Sequence, residues 1–222
     1  MGIRQARLIA FLLVGTIAVL GLLSVLWLGP DTSFVVARDH DGRTQFSLTT
    51  GHTAVLYTGY AALLSLVFDR IWRLRRWKRN IVRAGGAFAM GWIGGLTLIL
   101  TSDIIAWVQA LGRPVDRDAA FTAVVAMLVL LKANLIPKSR PAWLNGTTLP
   151  VFAWNPAVWR HVHRFSAMRL LAIGLSLLVL AILHPPWLDI RSVTVWLLTA
   201  EVSLASAHGL WLSLHRPAAA QS

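Results

Sequence analysis

Six apolar runs, each close to twenty residues, constrain this chain more than any other feature. The hydrocarbon core of a bilayer is about 30 Å thick and a helix rises about 1.5 Å per residue, so roughly 20 apolar residues cross it. With no water to bond the backbone there, each crossing segment must pair its own N–H and C=O groups as a helix. The runs lie at Leu8 to Leu28, Thr50 to Phe68, Ala84 to Leu111, Ala119 to Ile136, Phe165 to Leu183 and Val193 to Leu214. Gly29-Pro30, Asp69-Arg70, Gly112-Arg113-Pro114, Pro137 and Pro185-Pro186 break or charge their ends. Lys132 interrupts the fourth run and must snorkel. Hydrophobic residues make up 56% of the 222 and charged residues 14%, which excludes a soluble globular enzyme. The absence of cysteine excludes disulfides, thiolate nucleophiles and iron-sulfur centres. The expected fold is an all-α integral membrane bundle of six transmembrane helices with a structured cytoplasmic loop between helices 4 and 5.

Charge sets the expected orientation. Of the 21 Lys and Arg, 16 fall at the termini and the second and fourth connections, and five (Arg38, Arg43, Arg113, Arg117, Arg191) fall on the alternate side. The positive-inside rule then places both termini in the cytoplasm of a plasma-membrane protein. The first run follows Arg4 and Arg7 without a small-x-small cleavage site, so it reads as an uncleaved anchor. The basic stretch Arg70 to Arg83, with Trp72 and Trp77, lies between two spans and reads as a topology signal that also meets anionic lipid, with no direct nucleic-acid role. Residues 1–83 form an N-terminal two-span region with an external loop and a basic cytoplasmic loop. Residues 84–222 form a four-span region, of which 217–222 are a flexible tail.

Lys132 to Phe165 is too rich in aromatic and apolar residues for a solvated loop, and is expected to lie at the cytoplasmic interface. Asn155-Pro156 has the form of an N-cap followed by proline at the first helical position. A helix starting there puts Arg160 and Arg164 one turn apart on one stripe. This stretch resembles the SdpI-type immunity protein family, on Asn134, Pro137, Arg140, Pro141, Trp143, Gly146, Thr148, Pro150 and the run Val158-Trp159-Arg160, His163-Arg164-Phe165. The resemblance covers the last three spans. Ala142 stands where the family pattern has Asn, and Thr148 where it has Arg, so a role resting on that arginine does not transfer. Asp39-His40-Asp41-Gly42 occupies the place of the family's external His near Gly. The resemblance implies a non-enzymatic membrane protein that gives immunity to a secreted peptide toxin, sometimes relaying the toxin's presence to a cytoplasmic regulator. Arg140, Trp159, Arg160, His163 and Arg164 are the expected partner- or lipid-binding residues, the arginines meeting lipid phosphate or an acidic surface.

Asp103 and Glu201 lie inside the third and sixth spans, about 12 Å from their outer ends, with no Lys or Arg expected at that depth. Such acids are protonated, open to water in a cavity, or paired across helices. Glu201 and His208 share a helix face, so Asp103, Glu201 and His208 form a candidate intramembrane polar pocket. They also support an alternative function, a small proton-coupled transporter. Gly91 and Gly95 form a small-xxx-small pair suited to close packing. His161 and His163 point apart on a helix with no third ligand, so no metal is expected, and nothing calls for a cofactor. Thr50-Gly51-His52-Thr53 resembles the Ser-Gly-His element of membrane lipid phosphatases, but the arginine and second histidine that chemistry needs are expected on the opposite side. Asn145-Gly146-Thr147 is a glycosylation sequon that a cytoplasmic position silences.

Overall fold

A computed structural model describes residues 3–38, 44–74, 81–82, 86–138 and 155–215. The Asp39–Gly42 element, most of the basic stretch 75–80 and 83, Arg140 with the loop 139–154, and the tail 217–222 lie outside the described residues. Among the described residues six helices are long and apolar enough to cross a membrane, in order α1 (Ile3–Leu28), α2 (Thr50–Arg73), α3 (Gly86–Ala110), α4 (Arg117–Leu135), α5 (Pro156–Leu183) and α6 (Ile190–His215). At 19 to 28 residues each they measure roughly 30–40 Å, enough for the core and part of the headgroup layer. The chain is an all-α multi-pass membrane protein. Leu12, Leu22, Leu26, Leu183 and Leu214 are exposed on the helices, as a hydrocarbon solvent permits. Trp27, Trp187 and Trp196 are exposed near helix ends, where indoles meet both apolar and wet surroundings.

One element was not anticipated. Strands β1 (Ser33–Arg38) and β2 (Thr44–Thr49) pair antiparallel between α1 and α2, in the register Ser33 to Thr49, Phe34 to Leu48 and Val35 to Ser47, with shifts on either side of Ala37. The loop expected there is therefore a hairpin. Its base is pinned by Thr50 N–H to Thr32 O at 2.9 Å and Gly51 N–H to Pro30 O at 3.0 Å. A Cβ on Gly51 would sit 3.2 Å from Pro30 O, so this glycine lets the two helix ends meet. The Thr50-Gly51-His52-Thr53 element thus forms a packed junction, with His52 Nδ1 2.8 Å from Thr49 Oγ1.

The chain divides into two compact units, Ile3–Ile71 with Trp92–Phe121, and Trp72–Gly91 with Thr122–Ser222. In the first, α1 buries Ala6, Ala10, Ile17, Gly21 and Ser24 on one stripe, and α2 buries Thr50, Thr53, Ala61 and Ser65. Small residues let backbones approach: a Cβ on Gly21 would meet Ala54 at 3.0 Å. Arg7 and Asp69 close the far end as an ion pair at 3.0 Å. Trp92 is wholly buried, donates to Ser65 Oγ at 3.3 Å and stacks on Phe68. Of the glycine pair on α3, Gly95 packs against Leu64, whose Cδ2 lies 2.8 Å from an added Cβ, while Gly91 is exposed.

In the second unit α5 and α6 form an antiparallel helical hairpin around Val158, Val162, Ala205 and Leu212. His184 takes the left-handed conformation that ends α5, with φ 34°, and its N–H bonds Leu180 O. Asp189 then caps α6, accepting from Ser192 N at 3.1 Å and Ser192 Oγ at 2.6 Å. These bonds from Ser192, side chain first, hold the Asp189 carboxyl below the usual range. Gly174 allows α4 to approach α5, since a Cβ there would lie 2.7 Å from Leu130 and 3.3 Å from Ala126 O.

Candidate functional site

The polar residues of the second unit converge along the α5–α6 hairpin. Asn155 opens α5 as its N-cap, with Oδ1 accepting from Ala157 N at 3.1 Å and Val158 N at 3.2 Å, and Pro156 follows without an N–H to lose. A helix from that point turns Val158, Trp159, Val162 and His163 inward and leaves Arg160 and Arg164 exposed. The expected arginine stripe is present, about 100° around the helix from the buried aromatic pair.

Trp159 and His163, each 1% exposed, stack with ring centroids 3.7 Å apart. His163 Nδ1 lies 2.9 Å from Trp159 O, and a carbonyl only accepts, so the proton sits on Nδ1 and Nε2 is left as an acceptor. Among the described residues neither His163 Nε2 nor Trp159 Nε1 has a hydrogen-bond partner. One turn deeper, Ser166 Oγ donates to Glu201 Oε1 at 2.5 Å. Arg169 donates from Nε to Glu201 Oε2 at 2.6 Å and from Nη2 to Oε1 at 3.3 Å. Lys132 of α4 lies within electrostatic reach of both Glu201 and His163.

This arrangement corrects the expectation that no cation lies at the depth of Glu201. Arg169 is the fourteenth residue of α5, well inside the span, although by sequence it counted with the cytoplasmic connection. Glu201 is 1% exposed and its partner Arg169 30% exposed. An acid in hydrocarbon finds the opposite charge on the neighbouring helix, which removes the cost of an isolated ion. Of the three states open to Glu201, pairing across helices is the one adopted.

His208 joins a different group. Its ring lies 5.4 Å from that of His161 and 5.6 Å from that of Phe165, edge-on to both. His161 and His163 accordingly diverge, one toward His208 and one onto Trp159. Among the described residues no three His, Asp or Glu side chains gather as metal ligands would.

Asp103 belongs to the other unit. It is 3% exposed, and among the described residues its Oδ2 has no hydrogen-bond partner. Tyr57 of α2 lies within electrostatic reach of both Asp103 and Arg117, and Arg117 donates to Gln109 Oε1. Tyr57, Gln109 and Arg117 were not singled out by sequence, and neither were Ser166 and Arg169. An isolated charge inside an apolar run was the available signal for Arg169. Six spans and these intramembrane polar contacts define the class as a multi-pass helical membrane protein. Comparison with models of known families, with curated proteins and with solved structures finds no match for the chain.

Proposed function

We propose that this chain is an SdpI-type immunity protein of the plasma membrane, protecting its cell from a secreted peptide toxin without catalysing a reaction. The observation that carries this reading is the form taken by Val158-Trp159-Arg160 and His163-Arg164-Phe165. These residues, on which the resemblance rests, make about two helical turns with one buried stacked pair and two exposed arginines. In this reading both termini and the start of α5 face the cytoplasm. Moving Arg169 from the loop into the span leaves 15 basic residues on that side against five, so the bias that supports it persists. Trp159 and His163 fix the helix start, while Arg160, Arg164 and, from the preceding connection, Arg140 meet anionic headgroups or a cytoplasmic regulator.

Expression in a toxin-sensitive strain tests the proposal. Protection by the wild-type chain, lost in His163→Ala and in the double variant Arg160→Gln/Arg164→Gln at equal membrane abundance, is the expected result. A properly inserted wild-type chain that leaves sensitivity unchanged refutes it. Asp103, buried with a carboxylate oxygen that has no hydrogen-bond partner among the described residues, favours a second reading, a small proton-coupled transporter using the intramembrane acids. That reading requires proton movement in reconstituted vesicles that Asp103→Asn abolishes; protection without proton movement counts against it.

A further inference from the structure

Three rings tie the end of the α5–α6 hairpin that lies away from its turn. His161 of α5 and His208 of α6 stand edge-on with centroids 5.4 Å apart, and Phe165, one turn along α5, lies 4.8 Å from the first and 5.6 Å from the second. Both histidines are partly exposed. His161 is five residues from the start of α5 and His208 seven from the end of α6, so they sit roughly 8–11 Å in from the helix ends. A helix of 28 residues is about 42 Å long and overruns a core of ~30 Å by about 6 Å at each end. The pair therefore lies just inside the headgroup boundary, within reach of protons from that aqueous face.

Imidazole changes charge near pH ~6.5, so the contact joins neutral rings above that range and two cations below it. The charged groups around the pair add to the repulsion. Arg169 lies within electrostatic reach of His208, and Arg164, three residues along α5 from His161, is exposed. Lys132 of α4 reaches toward Glu201 and His163, and His215, two turns beyond His208, stacks on Trp211. Glu201, the one acid in either helix, lies two turns deeper and is already bonded by Ser166 and Arg169. Two unit charges at 5.4 Å and an effective dielectric of about 20 disfavour each other by about a hundredfold in an equilibrium constant. A ring-to-ring contact is worth roughly two- to twelvefold, so repulsion prevails by about tenfold. We infer that His161 and His208 form a proton-released latch, closed while the rings are neutral and parted when both are protonated, which frees the start of α5 from α6. The freed segment presents Arg160 and Arg164, so acidity at that face governs how they are displayed. The latch needs no toxin and stands or falls apart from the proposed function.

The test is a pulsed-EPR distance between spin labels on Ala157→Cys and Ser213→Cys in the full-length protein, reconstituted in phosphatidylcholine vesicles. Both positions are 28 residues from Pro185, so they share a depth at the inner end of the hairpin, and the chain has no cysteine of its own to compete. Between about pH 7.5 and about pH 5, on either side of the imidazole range, the population at longer distance should rise about tenfold. His161→Phe/His208→Phe keeps two rings in contact without a titratable nitrogen and should hold the short distance at both values. His161→Gln/His208→Gln, which also cannot be charged, should do the same, so the result does not depend on one variant folding well. His161→Phe alone leaves a single charge and should stay closed as well. The inference is overturned by a wild-type distance that is unchanged in acid, since the rings then separate without moving the helices. It is overturned equally by a lengthening that survives in both double variants, which would assign the response to another group.

Discussion

The Arg169–Glu201 pair offers the sharpest energetic test. Glu201 is 1% exposed and accepts three hydrogen bonds, two of them from Arg169 at 2.6 and 3.3 Å and one from Ser166 at 2.5 Å. Arg169→Met keeps an unbranched apolar stem while removing the guanidinium, leaving a buried carboxylate with one hydroxyl donor. Breaking a buried pair from one side costs about 3–5 kcal/mol in proteins. Hydrogen-bond couplings measured inside bilayers are smaller, averaging ~0.6 and reaching ~1.7 kcal/mol. Arg169 is partly exposed, which relieves its own burial but not that of the acid. A loss of about 3 kcal/mol is therefore expected for Arg169→Met. Glu201→Leu alone strands the arginine, which can turn toward its exposed side, so about 1–2 kcal/mol is expected. The double variant Arg169→Met/Glu201→Leu replaces the pair with two apolar side chains and should lie within about 1 kcal/mol of wild type. Reversible unfolding in mixed micelles gives all four corners of the cycle. Additive single losses, with a coupling below about 0.5 kcal/mol, would falsify the claim that this pair is a mutually dependent intramembrane contact.

Other contacts make simpler predictions. Gly174→Ala forces a methyl group to 2.7 Å from Leu130 and should destabilise the protein by about 1–3 kcal/mol, with Leu130→Ala in the same chain restoring part of the loss; the unfolding midpoint measures both. Asn155→Ala removes the acceptor for Ala157 and Val158 and should cost about 1 kcal/mol, whereas Asn155→Asp should be nearly silent. The Asp189 carboxyl is held below its ordinary range in the folded protein, so its contribution is present above the unfolded-state value of about 3.9 and fades as the pH falls through the lower folded value. Asp189→Ala should lower Tm at neutral pH, and the difference from wild type should shrink below about pH 4; a constant difference across that range argues against the cap.

Much of the architecture follows from lengths and composition, because a bilayer accepts so few backbone solutions. The start of α5 was also readable, since Asn155 and Pro156 are cap chemistry that acts within a few residues. The partners of Glu201 lay within reach of simple arithmetic. In an antiparallel helical hairpin, residues equidistant from the turn share a depth, because both helices rise equally per residue. Pro185 is midway between Arg169 and Glu201, and equally between Val158 and Leu212. His161 and His208 fall within a residue of the same symmetry, so His208 lies at the depth of His161, about two turns along α6 from Glu201. The hairpin before α2 carried a signal as well: Ser33 to Arg38 and Thr44 to Thr49 hold β-branched and aromatic residues, and the sequence between them contains the turn-favouring dipeptide Asp41-Gly42. The open apolar groove that Tyr57, Leu64, Leu98 and Phe121 line was not legible, for a physical reason. A helix that is apolar all round gives no periodicity to say which face meets protein and which meets lipid. The close approaches at Gly95 and Gly174 likewise depend on which helices are neighbours, which no local pattern encodes.

The measurement that bears most directly on the account is single-cysteine accessibility, made clean by a sequence with no cysteine of its own. Gln5→Cys, Asp41→Cys, Lys78→Cys, Asp116→Cys, Ser139→Cys, Asp189→Cys and Gln221→Cys each place one thiol in a different connection or terminus. A membrane-impermeant maleimide applied to intact cells should label the variants at 41, 116 and 189, and reach those at 5, 78, 139 and 221 only after the membrane is opened. Labelling of position 139 from outside, or of the two termini from opposite sides, contradicts six crossings with the start of α5 on the inner face.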